Sequence, residues 1–100
     1  MFKAIILLKR KSELTHEEFA DWWLNHHTVK VKTLPNVRRV CFNLVDNDGP
    51  FDGVSELWFD SKEDFEAAYA TPEGKAVAED TLSKVETRER LFVTENLIIG

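Results

Sequence analysis

Hydrophobic residues recur in four short segments of the chain in the way that β-strands require. The first segment, residues 2–10, is rich in Ile and Leu and ends in a basic cluster. We predict three further strands over residues 37–45, 54–59 and 91–99. The first and last of the four strands are hydrophobic on both alternating faces, which is typical of strands that are covered on both sides.

A helix is predicted to follow the first strand. Thr15 and Glu18 have the spacing of a capping box, in which each side chain accepts a hydrogen bond from a free backbone N–H group at the start of the helix. The helix should run to about Thr33, because the residue before Pro35 disfavours helical geometry.

The second helical region is predicted to be divided. Ser61 can cap a helix whose first turn is acidic, as the helix dipole favours. Thr71 can then cap a second helix with Pro72 at its first position, and this helix should run to about Val85. Between the second and third strands, residues 46–50 (DNDGP) are dense in turn-forming residues.

These elements follow the order β-α-β-β-α-β in a single domain of residues 1–100. Right-handed crossovers give this order an α+β, ferredoxin-like fold, a four-stranded antiparallel sheet with both helices on one face. The helices can then cover only one side of the first and last strands. Soluble monomers rarely expose a large hydrophobic face, so we expect a homodimer that packs its sheet faces together.

The composition narrows the classes of partner. The 100 residues are 43% hydrophobic and carry a net charge of −5, which disfavours nucleic acids because their phosphates require a basic surface. The longest hydrophobic run, residues 4–8, is too short to cross a bilayer. Cys41 is the only cysteine, which excludes an intramolecular disulfide and fits a reducing, cytoplasmic compartment. We expect neither nucleic-acid nor membrane binding.

Residues 19–43, FADWWLNHHTVKVKTLPNVRRVCFN, resemble the EthD family of dimeric α/β-barrel proteins. The matching positions in this half are Phe19, Trp22, Trp23, His27, residues 34–39 (LPNVRR) and Asn43. In the second half they are residues 51–53 (FDG), 56–61 (ELWFDS) and 71–74 (TPEG), Asp80, and residues 94–95 (TE). The chain departs from the family pattern after Asp80, where TLSK stands in place of a frequent aromatic residue.

The resemblance implies a ferredoxin-like dimeric barrel with a small-molecule pocket, and it does not imply one reaction. The family is named after a protein required in ethyl tert-butyl ether breakdown. Its relatives include a methylmuconolactone isomerase and cyclases or dehydratases that act on polyketides. The family pattern also selects His27 as the residue for acid–base chemistry.

The helical spacing independently makes His27 the candidate catalytic residue. Phe19, Trp23 and His27 are spaced by four, so on an α-helix each advances by only about 40° and all three share one face. An imidazole in such surroundings can transfer a proton near neutral pH. The alternative is a core histidine bonded to a backbone carbonyl group.

The other two histidines are weaker candidates. His26 lies about 100° round the helix from His27, so the two rings diverge and cannot easily share a metal. His16 lies in the first helical turn and should be solvated. The sequence contains no Gly-rich phosphate loop and no cluster with metal-ligand spacing. We therefore expect neither a metal nor a cofactor.

The remaining candidates are substrate-binding residues, whose aromatic rings would form a wall and whose polar groups would bond substrate oxygens. They are Phe19, Trp23, Phe42, Asn43, Glu56, Trp58, Tyr69 and Asp80. Either carboxylate in this set, Glu56 or Asp80, could partner His27. The simpler interpretations are that the aromatics belong to the core, that Glu56 lies at a wet sheet edge or dimer contact, and that Asp80 is a surface acid.

Three functions remain open at this point. The first is a cofactor-free isomerase, cyclase or dehydratase that acts on a small apolar carbonyl compound or lactone, with His27 as general acid and base. The second is a non-catalytic binding or accessory protein for a hydrophobic metabolite. The third is a cofactor-independent monooxygenase, or a haem-binding relative, on the same fold. For the first of these, the pocket should lie between the helices and the sheet of each subunit.

Overall fold

Four antiparallel strands form one sheet in the order β2-β3-β1-β4. The computed structural model describes all 100 residues. The strands are β1 (Phe2–Arg10), β2 (Arg39–Leu44), β3 (Gly53–Phe59) and β4 (Val85–Val93). The helices are α1 (His16–Asp21), α2 (Thr28–Val31), α3 (Lys62–Ala70) and α4 (Pro72–Lys84), and a π-helical segment, Trp22–His27, joins α1 to α2. This is the predicted α+β, ferredoxin-like fold.

Strand β1 lies between β3 and β4, and this central position explains its hydrophobic pattern. On the helix-facing side Ala4, Ile6 and Leu8 are buried, and they belong to a cluster of 14 buried hydrophobic residues. On the opposite side Ile5 and Leu7 are only half-buried. One hydrophobic face of the sheet is therefore left without a helical cover.

The first helix begins as predicted. The Thr15 hydroxyl accepts a hydrogen bond from the backbone N–H of Glu18, and the Glu18 carboxylate accepts one from the backbone N–H of Thr15. Both halves of the capping box are thus present, and they fix the point at which the chain leaves β1 and turns into α1.

The middle of this helical region differs from the uninterrupted α-helix that we predicted. Trp22–His27 is π-helical, and regular α-helix resumes in α2. A π turn places residues five apart above one another. The rings of Trp22 and His27, which are five residues apart, accordingly lie with their centroids at 4.8 Å.

The predicted bounds of the last strand, residues 91–99, were wrong, and the strand lies earlier in the chain and overlaps that range only over residues 91–93. Strand β4 begins at Val85, directly after α4, and its pairing with β1 ends where Val93 lies opposite Lys3. Only one residue of β1 precedes Lys3, so β1 offers no partner to a longer β4. The hydrophobic residues that suggested the later strand lie outside the sheet and are exposed: Leu97, Ile98 and Ile99.

Thr71 separates α3 from α4 as predicted. Its hydroxyl accepts a hydrogen bond from the backbone N–H of Gly74, and Pro72 is the first residue of α4. Helix α4 then runs across the sheet to Lys84 and brings its buried face over the end of the π segment. None of the helices is long and hydrophobic enough to span a membrane.

Candidate functional site

His27 lies at the end of the π segment, enclosed between the helices and the sheet. Only 3% of its surface is exposed. Trp23 and Phe19, which the helical spacing placed on the same face, are fully buried. Trp22 packs against the imidazole ring with centroids 4.8 Å apart, and Phe42 of β2 lies on the sheet side at 6.2 Å. Phe19 packs in turn against both Trp22 and Trp23.

Asp80 of α4 holds one edge of the imidazole. The distance from His27 Nδ1 to Asp80 Oδ2 is 2.7 Å, and Trp22 Nε1 donates to the two oxygens of the same carboxylate at 3.3 and 3.2 Å. An ionised carboxylate only accepts hydrogen bonds, so the proton of a neutral imidazole belongs on Nδ1. The lone pair of Nε2 is therefore free to accept a proton.

Thr81, the next residue of α4, faces this free nitrogen. Its Oγ1 lies 3.3 Å from His27 Nε2 and 3.0 Å from the carbonyl oxygen of Val77. The hydroxyl has one proton and can donate it to only one of these acceptors at a time. When it donates to Val77, Nε2 is left available to a ligand.

The electrostatics of the site favour a neutral His27. Burial lowers the pKa of His27 below its ordinary value of 6.5, and the hydrogen bond and negative charge of Asp80 oppose that shift without reversing it. A neutral imidazole at pH 7 is in the protonation state that a general base needs.

A cavity of about 20 Å³ adjoins His27 between the helices and the sheet, and nine of its 14 lining residues are hydrophobic. The other five are His27, Ser55, Thr81, Arg88 and Arg90. A hydrophobic groove of about 190 Å³ lies next to it and shares Val31 and Phe42 with it. The cavity alone holds about one water molecule, so a larger ligand must displace side chains at its mouth.

The wall of the cavity is built around Trp23. Its ring stacks on Phe42 with centroids 4.4 Å apart and an interplanar angle of 6°. The ring also lies against Gly53, where an added Cβ atom would be 2.7 Å from Trp23 Cη2. Glycine is therefore required at this position so that the helix and sheet can approach closely. Trp23, Phe42 and Tyr69 all line the cavity, as expected, while Phe19 lies behind them in the core.

The structure does not bring Glu56, Asn43 or Trp58 to His27, and this part of the predicted set is corrected. Leu57 of β3 faces the helices and is buried, so its neighbours Glu56 and Trp58 face the opposite side of the sheet. There the Glu56 carboxylate accepts hydrogen bonds from Lys3 Nζ at 2.7 Å and Asn43 Nδ2 at 2.9 Å. These hydrogen bonds lower the pKa of Glu56. Asp80 alone supplies the carboxylate partner of His27.

Four residues of the site were missing from the predicted set. Trp22 was not predicted because a regular α-helix would direct its side chain away from His27. The π turn instead brings the Trp22 ring against the His27 ring. Thr81 was noted only as a departure from the family pattern. Arg88 and Arg90 fell in a stretch for which no element was predicted, so the alternation that points both towards the cavity was not visible.

The remaining histidines lie apart from this site. His26 is exposed and its Nε2 lies 3.4 Å from Asp21 Oδ2. His16 Nδ1 lies 3.5 Å from Asp52 Oδ1 near the far end of β1. The structure contains no group of three or more His, Cys, Asp or Glu side chains arranged to hold a metal ion.

Solved structures match the fold along nearly its whole length. An EthD family protein from Bacillus halodurans is 21% identical with a TM-score of 0.84, and the match covers 96% of this chain and 99% of that one. A dimeric ferredoxin-like protein of unknown function from Bacteroides fragilis is 22% identical with a TM-score of 0.73, covering 92% and 93%. SnoaB, a cofactor-independent oxygenase from Streptomyces nogalater, is 15% identical with a TM-score of 0.73, covering 98% and 95%. At these identities the likeness shows the fold.

The family is shown by the sequence itself. Curated proteins give no significant match to the chain. The EthD domain profile, in contrast, matches residues 11–83, a span that contains the whole π segment, Asp80 and Thr81. The predicted resemblance is confirmed, and this chain belongs to the EthD family.

Proposed function

We propose that the chain is a cofactor-free isomerase, cyclase or dehydratase that acts on a small carbonyl compound or lactone in a degradation or biosynthesis pathway. His27 is the general base and then the general acid, and Asp80 is the residue that positions it. The contact that carries this proposal is the 2.7 Å pairing of His27 Nδ1 with Asp80 Oδ2 beside a hydrophobic cavity.

The reaction begins at the carbon next to the substrate carbonyl group. His27 Nε2 takes a proton from this carbon, the C–H electron pair moves into an enolate, and the imidazole becomes an imidazolium. The Asp80 carboxylate stabilises that charge through the Nδ1–H hydrogen bond. If the imidazolium returns the proton to another atom of the enolate, the result is an isomerisation. If the enolate expels a hydroxyl group, which takes the proton and leaves as water, the result is a dehydration.

The surroundings of His27 support this chemistry. The hydrophobic lining suits the carbon skeleton of a small substrate and limits the water that competes for the base. A substrate larger than the cavity of about 20 Å³ has to displace side chains at the mouth. Arg90 is exposed and Tyr69 is half-buried, so these two side chains can move without opening the core.

Hydrogen–deuterium exchange tests the proposal. Lactones and cyclic ketones are incubated with the protein in deuterium oxide, and proton NMR follows exchange at the carbon next to the carbonyl. His27→Gln keeps hydrogen bonding and most of the volume but cannot titrate, so it should slow exchange on the order of 10²–10⁴-fold. The exposed His26→Gln is the matched control and should exchange at the wild-type rate. Equal exchange by wild type and His27→Gln would contradict the proposal.

Two other functions have an observation in their favour. The hydrophobic cavity also suits a non-catalytic binding protein, which would bind a lactone or ketone and catalyse no exchange in either wild type or His27→Gln. The likeness to SnoaB, a cofactor-independent oxygenase, also fits a monooxygenase, which would consume oxygen with a phenolic substrate. The isomerase, cyclase or dehydratase, the binding protein and the monooxygenase are distinguished by measuring ligand binding, deuterium exchange and oxygen uptake on one protein sample.

We further propose that the chain works as a homodimer through the sheet face that no helix covers. Ile5, Leu7 and Val54 are half-buried on this face, and Leu91 is 46% exposed. A second copy would cover these side chains, and the similar protein from Bacteroides fragilis is described as dimeric. Light scattering at micromolar concentration should give twice the chain mass of 11.6 kDa. A species of one chain mass at every dilution contradicts the dimer.

A further inference from the structure

Two arginines of β4 face the same cavity as His27. Arg88 and Arg90 are alternate residues of the strand, so both side chains point to the helix-facing side, and they lie opposite Leu8 and Ile6 of β1. Both belong to the cavity lining. The intervening Glu89 points to the other side of the sheet.

Neither arginine has an acidic partner. The chain forms eight close pairs between basic and acidic side chains, and none of them uses Arg88 or Arg90. The Arg90 guanidinium instead lies 5.4 Å from the centroid of the Tyr69 ring. Burial and the neighbouring charge of Arg90 lower the pKa of Arg88, which is the expected cost of placing two unneutralised cations together.

Trp23, another residue of the lining, also carries a donor without a partner. Trp23 is fully buried, and its Nε1 is the one buried side-chain nitrogen or oxygen without a hydrogen-bond partner. Buried N–H groups without a partner are rare in native structures. The cavity lining contains no Asp or Glu, although the whole chain has a net charge of −5. The lining therefore offers unpaired donors and positive charge.

We propose that the substrate of the His27 cavity is a carbonyl compound that carries a carboxylate, and that Arg88 and Arg90 bind this carboxylate. A planar guanidinium matches a carboxylate in geometry and can donate two parallel hydrogen bonds to it. The hydrophobic remainder of the lining holds the carbon skeleton and directs it towards Nε2 of His27. This inference rests on the proposed function, because it assumes that the His27 cavity is the substrate site. It adds the chemical class of the substrate.

The test compares benzoylpropionic acid with its methyl ester, two ketones that differ at pH 7 mainly in one negative charge. Calorimetric titration should show that the protein binds the acid about ten-fold more tightly than the ester. Added salt should lower the affinity for the acid and leave the affinity for the ester unchanged. Arg88→Gln and Arg90→Gln should each lower the affinity for the acid about ten-fold and leave the affinity for the ester unchanged. Arg38→Gln removes an exposed arginine that pairs with Asp60 away from the cavity, and this control should bind both probes as wild type does.

Several results would overturn the inference. For the wild type, they are equal affinity for acid and ester, no measurable binding of the acid, or tighter binding of phenyl phosphate than of the acid. For the arginine variants, the contradicting result is an equal loss of affinity for the acid and for the ester. The wild-type comparison of acid, ester and salt does not depend on the folding of any variant. Acid-selective binding without His27-dependent exchange would refute the proposed function alone, and His27-dependent exchange without acid selectivity would refute this inference alone.

Discussion

His27 Nδ1 lies 2.7 Å from Asp80 Oδ2, although the two residues are 53 positions apart in the chain. Two features of the fold create this contact. The π segment delivers His27 at its last position, and α4, which starts afresh at Pro72, brings Asp80 alongside it. The carboxylate also accepts from Trp22 Nε1, so its position does not depend on the histidine alone.

Replacing Asp80 by Asn should lower activity more than it lowers stability. The amide can present its NH₂ group to Nδ1 and thereby favour the wrong tautomer, and it cannot stabilise the imidazolium. We expect a loss on the order of 10²–10⁴-fold in the rate of exchange. Asp21→Asn is the matched control, because Asp21 is an exposed carboxylate beside the exposed His26. An Asp80→Asn protein as active as Asp21→Asn would show that Asp80 does not position the base.

Trp22→Phe tests the second support of the carboxylate. Phenylalanine keeps a ring against His27 but removes the N–H group that donates to Asp80. A lost hydrogen bond to a charged group is worth about 1.5–3 kcal/mol, so the unfolding free energy should fall by that order in urea denaturation. Exchange should slow less than in Asp80→Asn, because the contact between Asp80 and His27 remains. An exchange defect equal to that of Asp80→Asn contradicts this ranking.

The stability of the protein should depend on the titration of His27. An unfolded histidine titrates near 6.5, and burial holds the folded pKa of His27 below that value. As the pH falls through 6.5, the unfolded chain takes up this proton first, so the free energy of unfolding decreases towards the lower folded pKa. Denaturant unfolding at a fixed protein concentration should show this decrease in wild type and less of it in His27→Gln. A wild type that becomes more stable on acidification over this window would reverse the sign and contradict the assignment.

Gly53→Ala should destabilise the protein and disturb the cavity wall. Its Cβ would lie 2.7 Å from Cη2 of the Trp23 ring, and that ring is fully buried and stacked on Phe42. Overpacking of this kind costs about 1–3 kcal/mol. Gly49→Ala is the control, since a Cβ there meets nothing closer than 3.9 Å, and it should leave the unfolding midpoint nearly unchanged. Equal midpoints for the two variants would show that the contact with Trp23 does not restrict position 53.

Much of the fold was predictable because local chemistry determines it. The capping box at Thr15 and the cap at Thr71 depend on residues within three positions, and both elements begin where the sequence indicates. The end of β4 could not be predicted in this way, because it depends on where β1 begins. Leu97 to Ile99 has the composition of a strand, but no partner strand remains for it.

The site was predictable only in part for a related reason. Regular helical spacing was sufficient to place Trp23 and His27 together, but the π turn that adds Trp22 is a departure from that spacing. The assignment of Glu56 to the pocket failed because a strand pattern alone does not say which face the helices cover. The burial of Leu57 settles that question and turns Glu56 to the other side.

Nitrogen-edited NMR of the His27 ring measures most directly whether Asp80 holds this residue as a neutral base. At pH 7 the spectrum should show a proton on Nδ1 and a free lone pair on Nε2, with protonation of Nε2 only below the ordinary histidine value of 6.5. The signal can be assigned by its absence in His27→Gln. A neutral ring with its proton on Nε2, or an imidazolium that persists at pH 7, would contradict the claim that His27 is poised to remove a proton from a substrate.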